Sequence, residues 1–119
     1  MASPREGARA PNNCDNYVFL GGRLAAAPQL LELPSGDEVC SFRVVVDLAG
    51  PATVKVDTLE CRTSAARVRG ILERAEPGSQ VELHGSIRRR LWRGAGGVRR
   101  RYEVEVGRAE VAKVARRRR

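Results

Sequence analysis

The sequence predicts an all-β domain that carries one helix. Apolar and polar residues alternate at period two in five stretches, one stretch alone (residues 65–75) repeats its apolar positions at spacings of three and four, and Gly, Pro and small polar residues mark the boundaries. A chain of 119 residues has room for one modest core and tails.

Residues 1–14 mix Ser, Pro, Gly, Ala, Asn and single charges without periodicity, the composition of a flexible arm. In the first strand, Tyr17 to Ala25, Val18, Leu20 and Leu24 share one face, and Gly21-Gly22 permits the bend or bulge with which a small barrel turns a corner. Past Pro28, a short continuation from Gln29 to Leu33 leads to the turn signal Pro34-Ser35-Gly36-Asp37. The second strand, Val39 to Val46, sets Phe42, Val44 and Val46 against Arg43, and Gly50-Pro51 ends it. In the third, Val54, Val56 and Thr58 give way to Leu59 and Cys61 in the other phase, which calls for a bulge or a change of exposed face.

Thr63 or Ser64 is placed to cap a helix whose Ala65, Val68, Ile71, Leu72 and Ala75 form one apolar stripe, and Gly78 after Pro77 stops it. The longest strand signal, Gln80 to Trp92, points Val81, Leu83, Ile87 and Leu91 one way, with Gly85 in phase, and His84, Ser86, Arg88, Arg90 and Trp92 the other. After Gly94-Ala95-Gly96-Gly97 turns the chain, Tyr102, Val104 and Val106 define the buried side of a last strand that continues toward Val111 and Val114. Five strands, a helix between the third and fourth, and a long final hairpin form the connectivity of the OB-fold barrel, a scaffold that often binds oligonucleotides. The expected layout is a flexible arm over residues 1–14, an OB domain over 15–114 and a basic tail over 115–119.

Charge narrows the functional classes. The formal net charge is +8, but residues 88–119 hold 13 basic and 3 acidic residues, a balance of +10, against 9 and 11, or −2, in the first 87. Charge so concentrated on the last two strands and the tail suits an anion-binding face.

The strongest local feature is Ile87-Arg88-Arg89-Arg90-Leu91-Trp92-Arg93, because alternation sets Trp92 on the same outward face as Arg88 and Arg90. A single strand offers guanidinium groups a line of phosphates and offers an indole unpaired bases, whose stacking is worth about 1–3 kcal/mol each. Arginine adds bidentate phosphate contacts that lysine does not reproduce. Pairing across the turn brings Arg99, Arg100 and Arg101 onto the same arm, where the like charges repel unless a polyanion relieves them. The candidate DNA contacts are therefore Trp92, Arg88, Arg90, Arg93, Arg99, Arg100 and Arg101, with Arg43, Lys55 and Arg62 as isolated basic candidates. The blander reading packs Trp92 under the hairpin or in a subunit contact and leaves the arginines as a solvated face.

Other chemistries find little support. Cys14, Cys40 and Cys61 are odd in number and widely spaced, which suggests neither a disulfide framework nor a zinc site and fits a reducing compartment. His84 is the only histidine, and no Ser or Cys stands in a nucleophile context, so no enzymatic activity, cofactor or metal is expected. Glu103 and Glu105 sit among arginines as charge balance, and the Gly-rich turn lacks the Lys-Ser/Thr ending of a phosphate loop. The N-terminus lacks a continuous apolar h-region and no stretch approaches the ~20 apolar residues of a membrane helix, so neither secretion nor membrane insertion is expected.

Several segments together resemble the bacterial single-stranded DNA-binding (SSB) family. Asn16-Tyr17-Val18-Phe19-Leu20-Gly21-Gly22-Arg23-Leu24 with Pro28 is similar to its first strand, and Leu33-Pro34-Ser35-Gly36 with Val39 and Phe42 to its next turn and strand. Pro77 to Gly85 resembles the stretch after the family's helix, and Arg88 to Trp92 with Arg101 to Val106 its final hairpin. The resemblance covers about residues 14–112 and lies in order and spacing more than in one motif. It implies an OB fold, sequence-tolerant binding of single-stranded DNA in replication, repair or recombination, a homo-oligomer that is usually a tetramer, and a cytoplasmic, nucleoid-associated location. Trp92 matches a position where the family stacks a base.

The chain also departs from the family pattern. The segment around Thr58, the position near Ser64 and the strand ending at Asp47 carry no aromatic residue, which implies weaker, more electrostatic binding. The family's acidic tail tip is replaced by Arg116 to Arg119, so recruitment of partners through such a tail is not expected, and a divergent or paralogous short member is implied. Two alternatives stand beside this reading: non-specific binding of RNA or duplex nucleic acid, and a protein-interaction subunit whose DNA site has decayed.

Overall fold

The structure of the protein, a computed structural model, describes residues 14–49 and 55–112. The expected arm before Cys14, the Gly50-Pro51 stop, Val54, Val114 and the arginine tail lie outside the described residues.

The elements run β1 (Val18–Leu24), β2 (Gln29–Glu32), β3 (Glu38–Leu48), β4 (Lys55–Thr63), α1 (Ala66–Arg74), β5 (Gln80–Gly94) and β6 (Gly97–Val111). The pairings β1–β5, β5–β6, β6–β4, β4–β3 and β3–β1 close a five-stranded barrel of OB type. The short continuation after Pro28 is β2, which pairs with β3 outside that ring. Closure needs β1 to serve two neighbours, and Arg23 pairs with both Gln80 of β5 and Val45 of β3. Gly22 makes the corner possible, because a Cβ there would stand 2.7 Å from Val44 Cγ1.

Leu24, Val44, Cys61, Val81, Leu83 and Val106 are among the residues that fill the barrel. Val68 and Leu72 of α1 close one end, and this tertiary packing is what sustains a helix too short to be stable alone. Neither Thr63 nor Ser64 is its N-cap. Ala65 takes that position without a side-chain cap, and the buried Thr63 hydroxyl instead accepts from Ala65 N (3.1 Å) and donates to Val106 O (2.7 Å), tying the helix entry to β6.

Of the two alternatives expected near Leu59, a bulge or a change of exposed face, the second holds. The β3–β4 ladder runs without interruption from Cys40↔Thr63 to Leu48↔Lys55, so the phase change near Leu59 involves no bulge. Residues 55–58 are exposed on both faces because they lie beyond the barrel, and only from Leu59 onward does one face turn inward. The irregularity falls instead in β6, where His84 pairs with Arg108 but Gly85 with Val106, leaving Gly107 unopposed. That extra residue moves the buried phase from Val104 and Val106 to Ala109. Gly85 sits where the strands approach closely, since a Cβ there would meet the Glu105 backbone, 2.9 Å from its carbonyl carbon.

Tyr102 is not buried, contrary to its phase: it is 63% exposed, and Ile87 and Leu91 are exposed with it. Pairing of β5 with β1 ends at Gly85 and pairing of β6 with β4 ends at Val104, so among the described residues no strand flanks the hairpin past those points. Its inward-phase side chains continue the line of the core out into solvent. Because β4 runs parallel to β6, the β3–β4 hairpin leaves the barrel at the same end, opposite α1.

Candidate nucleic-acid interface

The hairpin register decides which side chains meet. Ser86↔Glu105, Arg88↔Glu103, Arg90↔Arg101 and Trp92↔Arg99 are directly opposed and share one face of the ribbon, so Trp92 does stand with Arg88 and Arg90. Trp92 is 42% exposed, neither sealed in the barrel nor free in solvent. The Arg101 guanidinium lies 5.3 Å from the centre of its ring, within cation–π range.

The same register divides the arginines. Arg89↔Tyr102, Leu91↔Arg100 and Arg93↔Val98 occupy the opposite face. Arg93 and Arg100, candidates alongside Trp92, therefore share its arm but not its surface.

Repulsion on the Trp92 face is relieved in part internally, where the expectation left it to a polyanion. Glu103, only 8% exposed, accepts from Arg90 (2.9 Å) and pairs with Arg62 (3.5 Å) and Arg101 (3.6 Å). Glu105 takes the other end of Arg90, while Glu60 binds Arg43 (3.0 Å) and reaches Arg101 (3.8 Å). Burial works to lower the Arg90 pKa, but hydrogen bonds and charge from Glu103 and Glu105 outweigh it, and the net shift is upward. Arg90 stays cationic but is already occupied.

Each candidate now has a place. Arg62 and Arg90 are ladder members with little exposed surface, while Arg43 and Arg101 are paired yet exposed enough to share a guanidinium edge. Arg88 and Arg99 are exposed on the Trp92 face and make no ion pair among the described residues. Lys55 is exposed at the far end of β4, roughly 23 Å along the strand from Arg62 at about 3.3 Å per residue. No described contact joins it to the ladder.

The charge-balancing role expected of Glu103 and Glu105 holds, but Glu60 was not anticipated. Its position on β4, across a parallel pairing from β6, is not local in sequence. Asn16 was also missed as an anchor: its amide donates to Ile87 O and accepts from Ile87 N, both at 2.8 Å, extending the β1–β5 ladder with a side chain. His84 stays structural, bonded to the Tyr17 hydroxyl and packed against Phe19 at 4.9 Å between ring centres.

Cys40 and Cys61 are buried thiols, and no group of His, Cys, Asp and Glu among the described residues is arranged to hold a metal ion. No helix among the described residues is long and apolar enough to cross a membrane.

No curated protein matches the chain. Among solved structures, the fold is shared with the Plasmodium falciparum SSB complex with ssDNA at a TM-score of 0.71 and 18% identity, over 82% of this chain and 95% of that one. The sequence pattern of the single-strand binding protein family matches residues 15–113, and the chain belongs to that family.

Proposed function

We propose that this protein binds single-stranded DNA with little sequence preference, as a non-catalytic, homo-oligomeric coat in replication, repair or recombination. Family membership supports the ligand class, and the fold shared with a protein solved in complex with ssDNA agrees with it. The observation that carries the reading for this chain is the half-exposed Trp92 on one face with Arg88, Arg99 and Arg101. A base stacks on the indole, and phosphates on either side meet Arg88 and Arg99, which hold no carboxylate among the described residues. Arg101 already covers part of the ring and shifts its guanidinium edge to phosphate, leaving Glu103 to Arg90 and Arg62. With Trp92 the only tryptophan, this face contributes backbone neutralisation plus one indole stack.

Titrating the protein with oligo-dT, oligo-rU and duplex DNA at two salt concentrations, while following Trp92 fluorescence, tests the reading. Strong quenching by oligo-dT that weakens with salt is the expected result. Salt-sensitive association with duplex and little quenching would assign the protein to non-specific polyanion binding. Binding to none of the three would leave a protein-interaction subunit.

A further inference from the structure

The face of the β5–β6 hairpin turned away from Trp92 is also basic and aromatic. Cross-strand pairing places Arg89 beside Tyr102, Leu91 beside Arg100 and Arg93 beside Val98, and all six are exposed. At its base this face opens onto a largely apolar recess of about 230 Å³, lined by Val18, Leu20, Leu59, Ile87, Tyr102 and Val104 together with Glu60 and Glu103, whose carboxylates are already engaged by arginines of the Trp92 face. Leu91, Val98 and Tyr102 are thus exposed apolar side chains running outward from the barrel mouth, each opposite an arginine.

The two faces differ in electrostatics. On the Trp92 face, three carboxylates offset part of the charge, whereas Arg89, Arg93 and Arg100 make no ion pair among the described residues. The opposite face therefore presents three uncompensated guanidinium groups around one exposed ring. A two-fold contact with a second copy would set these like charges against each other with no carboxylate among the six residues to offset them. A flexible polyanion with aromatic bases complements both properties at once.

We propose that this barrel-mouth face is a second contact surface for single-stranded DNA, with the Tyr102 ring stacking on a base and Arg89, Arg93 and Arg100 meeting phosphates. The inference rests on the single-stranded DNA reading and extends it: one polynucleotide engages the ribbon from both sides, passing from the Trp92 face to the Tyr102 face. Each side contributes part of the affinity, and linkage through the strand makes the combination tighter than either.

Two variants of the full chain test this, Tyr102→Leu, which keeps apolar bulk and removes the ring, and the double variant Arg89→Gln/Arg93→Gln. Affinity for a 30-nucleotide oligo-dT is followed by anisotropy across a salt series, and Trp92 quenching at saturation is read beside it. Tyr102→Leu is expected to weaken binding by roughly 5- to 150-fold. The double variant is expected to reduce the slope of log K against log salt by about 1.4. Trp92 quenching at saturation persists in both. Unchanged affinity and slope would overturn the second face, as would a change of oligomeric mass on sedimentation of Tyr102→Leu, which would give the face to a second copy. Failure of the parent reading is distinguishable, because it appears in the wild-type chain as absence of oligo-dT binding.

Discussion

Arg101 holds its guanidinium 5.3 Å from the centre of the Trp92 ring while its Nε stands 3.6 Å from Glu103. The indole that offers a stacking surface is thereby tied to a buried carboxylate two residues from Arg101 in the chain. Glu103 is the hub of the arrangement, since it also meets Arg62 and Arg90. These contacts fix the base of the arm against the barrel, so that the exposed arginines project from an ordered ribbon.

Replacing Glu103 with Gln should therefore cost stability. The substitution removes the charge shared by three guanidinium groups and turns one accepting oxygen into a donor, at an expected cost of about 1.5–3 kcal/mol for hydrogen bonds to a charged group. Glu110→Gln is the control: its exposed pair with Arg108 spans 3.7 Å, and the change should stay within about 0.5 kcal/mol. Urea denaturation of the two variants measures the difference, and equal midpoints would remove Glu103 from its role.

Gly85→Ala should destabilise the barrel by about 3 kcal/mol or more, at the upper end of overpacking costs, because its Cβ would meet the Glu105 backbone rather than a side chain able to move aside. Gly21→Ala, whose Cβ meets nothing within 4 Å, should change stability by less than about 1 kcal/mol. Thermal unfolding of the two variants separates close approach from a general cost of replacing glycine in a strand.

Much of this was legible in the sequence, and what was not has identifiable causes. Period-two alternation and a three-four stripe are local signals, so the strands, the helix and the final hairpin could be placed from them. Alternation reports which face a side chain takes but not how far along the strand the barrel extends, and for that reason Tyr102 has core phase and lies in solvent. The division of the arginines was within reach: once the turn is fixed at Ala95-Gly96, counting outward from Gly94↔Gly97 puts Arg100 opposite Leu91 and away from Trp92. The carboxylate ladder was not, because Glu60 reaches Arg101 only through a parallel pairing between distant strands.

The buried thiols make a prediction about alkaline stability. Burial, with Glu60 and Glu103 adding to it, pushes Cys61 from 9.0 up to about 12, and burial followed by Glu73 raises Cys40 against the opposing effect of Arg69. Between those values the unfolded chain has lost the Cys61 proton while the folded chain keeps it. The stability that the neutral thiol contributes is thus complete below pH 9 and is lost as pH rises toward 12. Urea midpoints should fall across that window, and Cys61→Ala should flatten the decline. At neutral pH a thiol reagent should label the exposed Cys14 in the native protein and reach Cys40 and Cys61 only on unfolding. Rapid native labelling of Cys61 would contradict the assignment.

The most direct measurement is the dissociation constant of a fluorescently labelled oligo-dT for wild type and Trp92→Ala, taken by anisotropy over a salt series. Loss of one base stack should weaken binding by about 1–3 kcal/mol at every salt concentration while leaving the salt slope intact, since Arg88, Arg99 and Arg101 remain. An unchanged dissociation constant would mean that no base rests on Trp92 and that this face of the hairpin is not where single-stranded DNA is held.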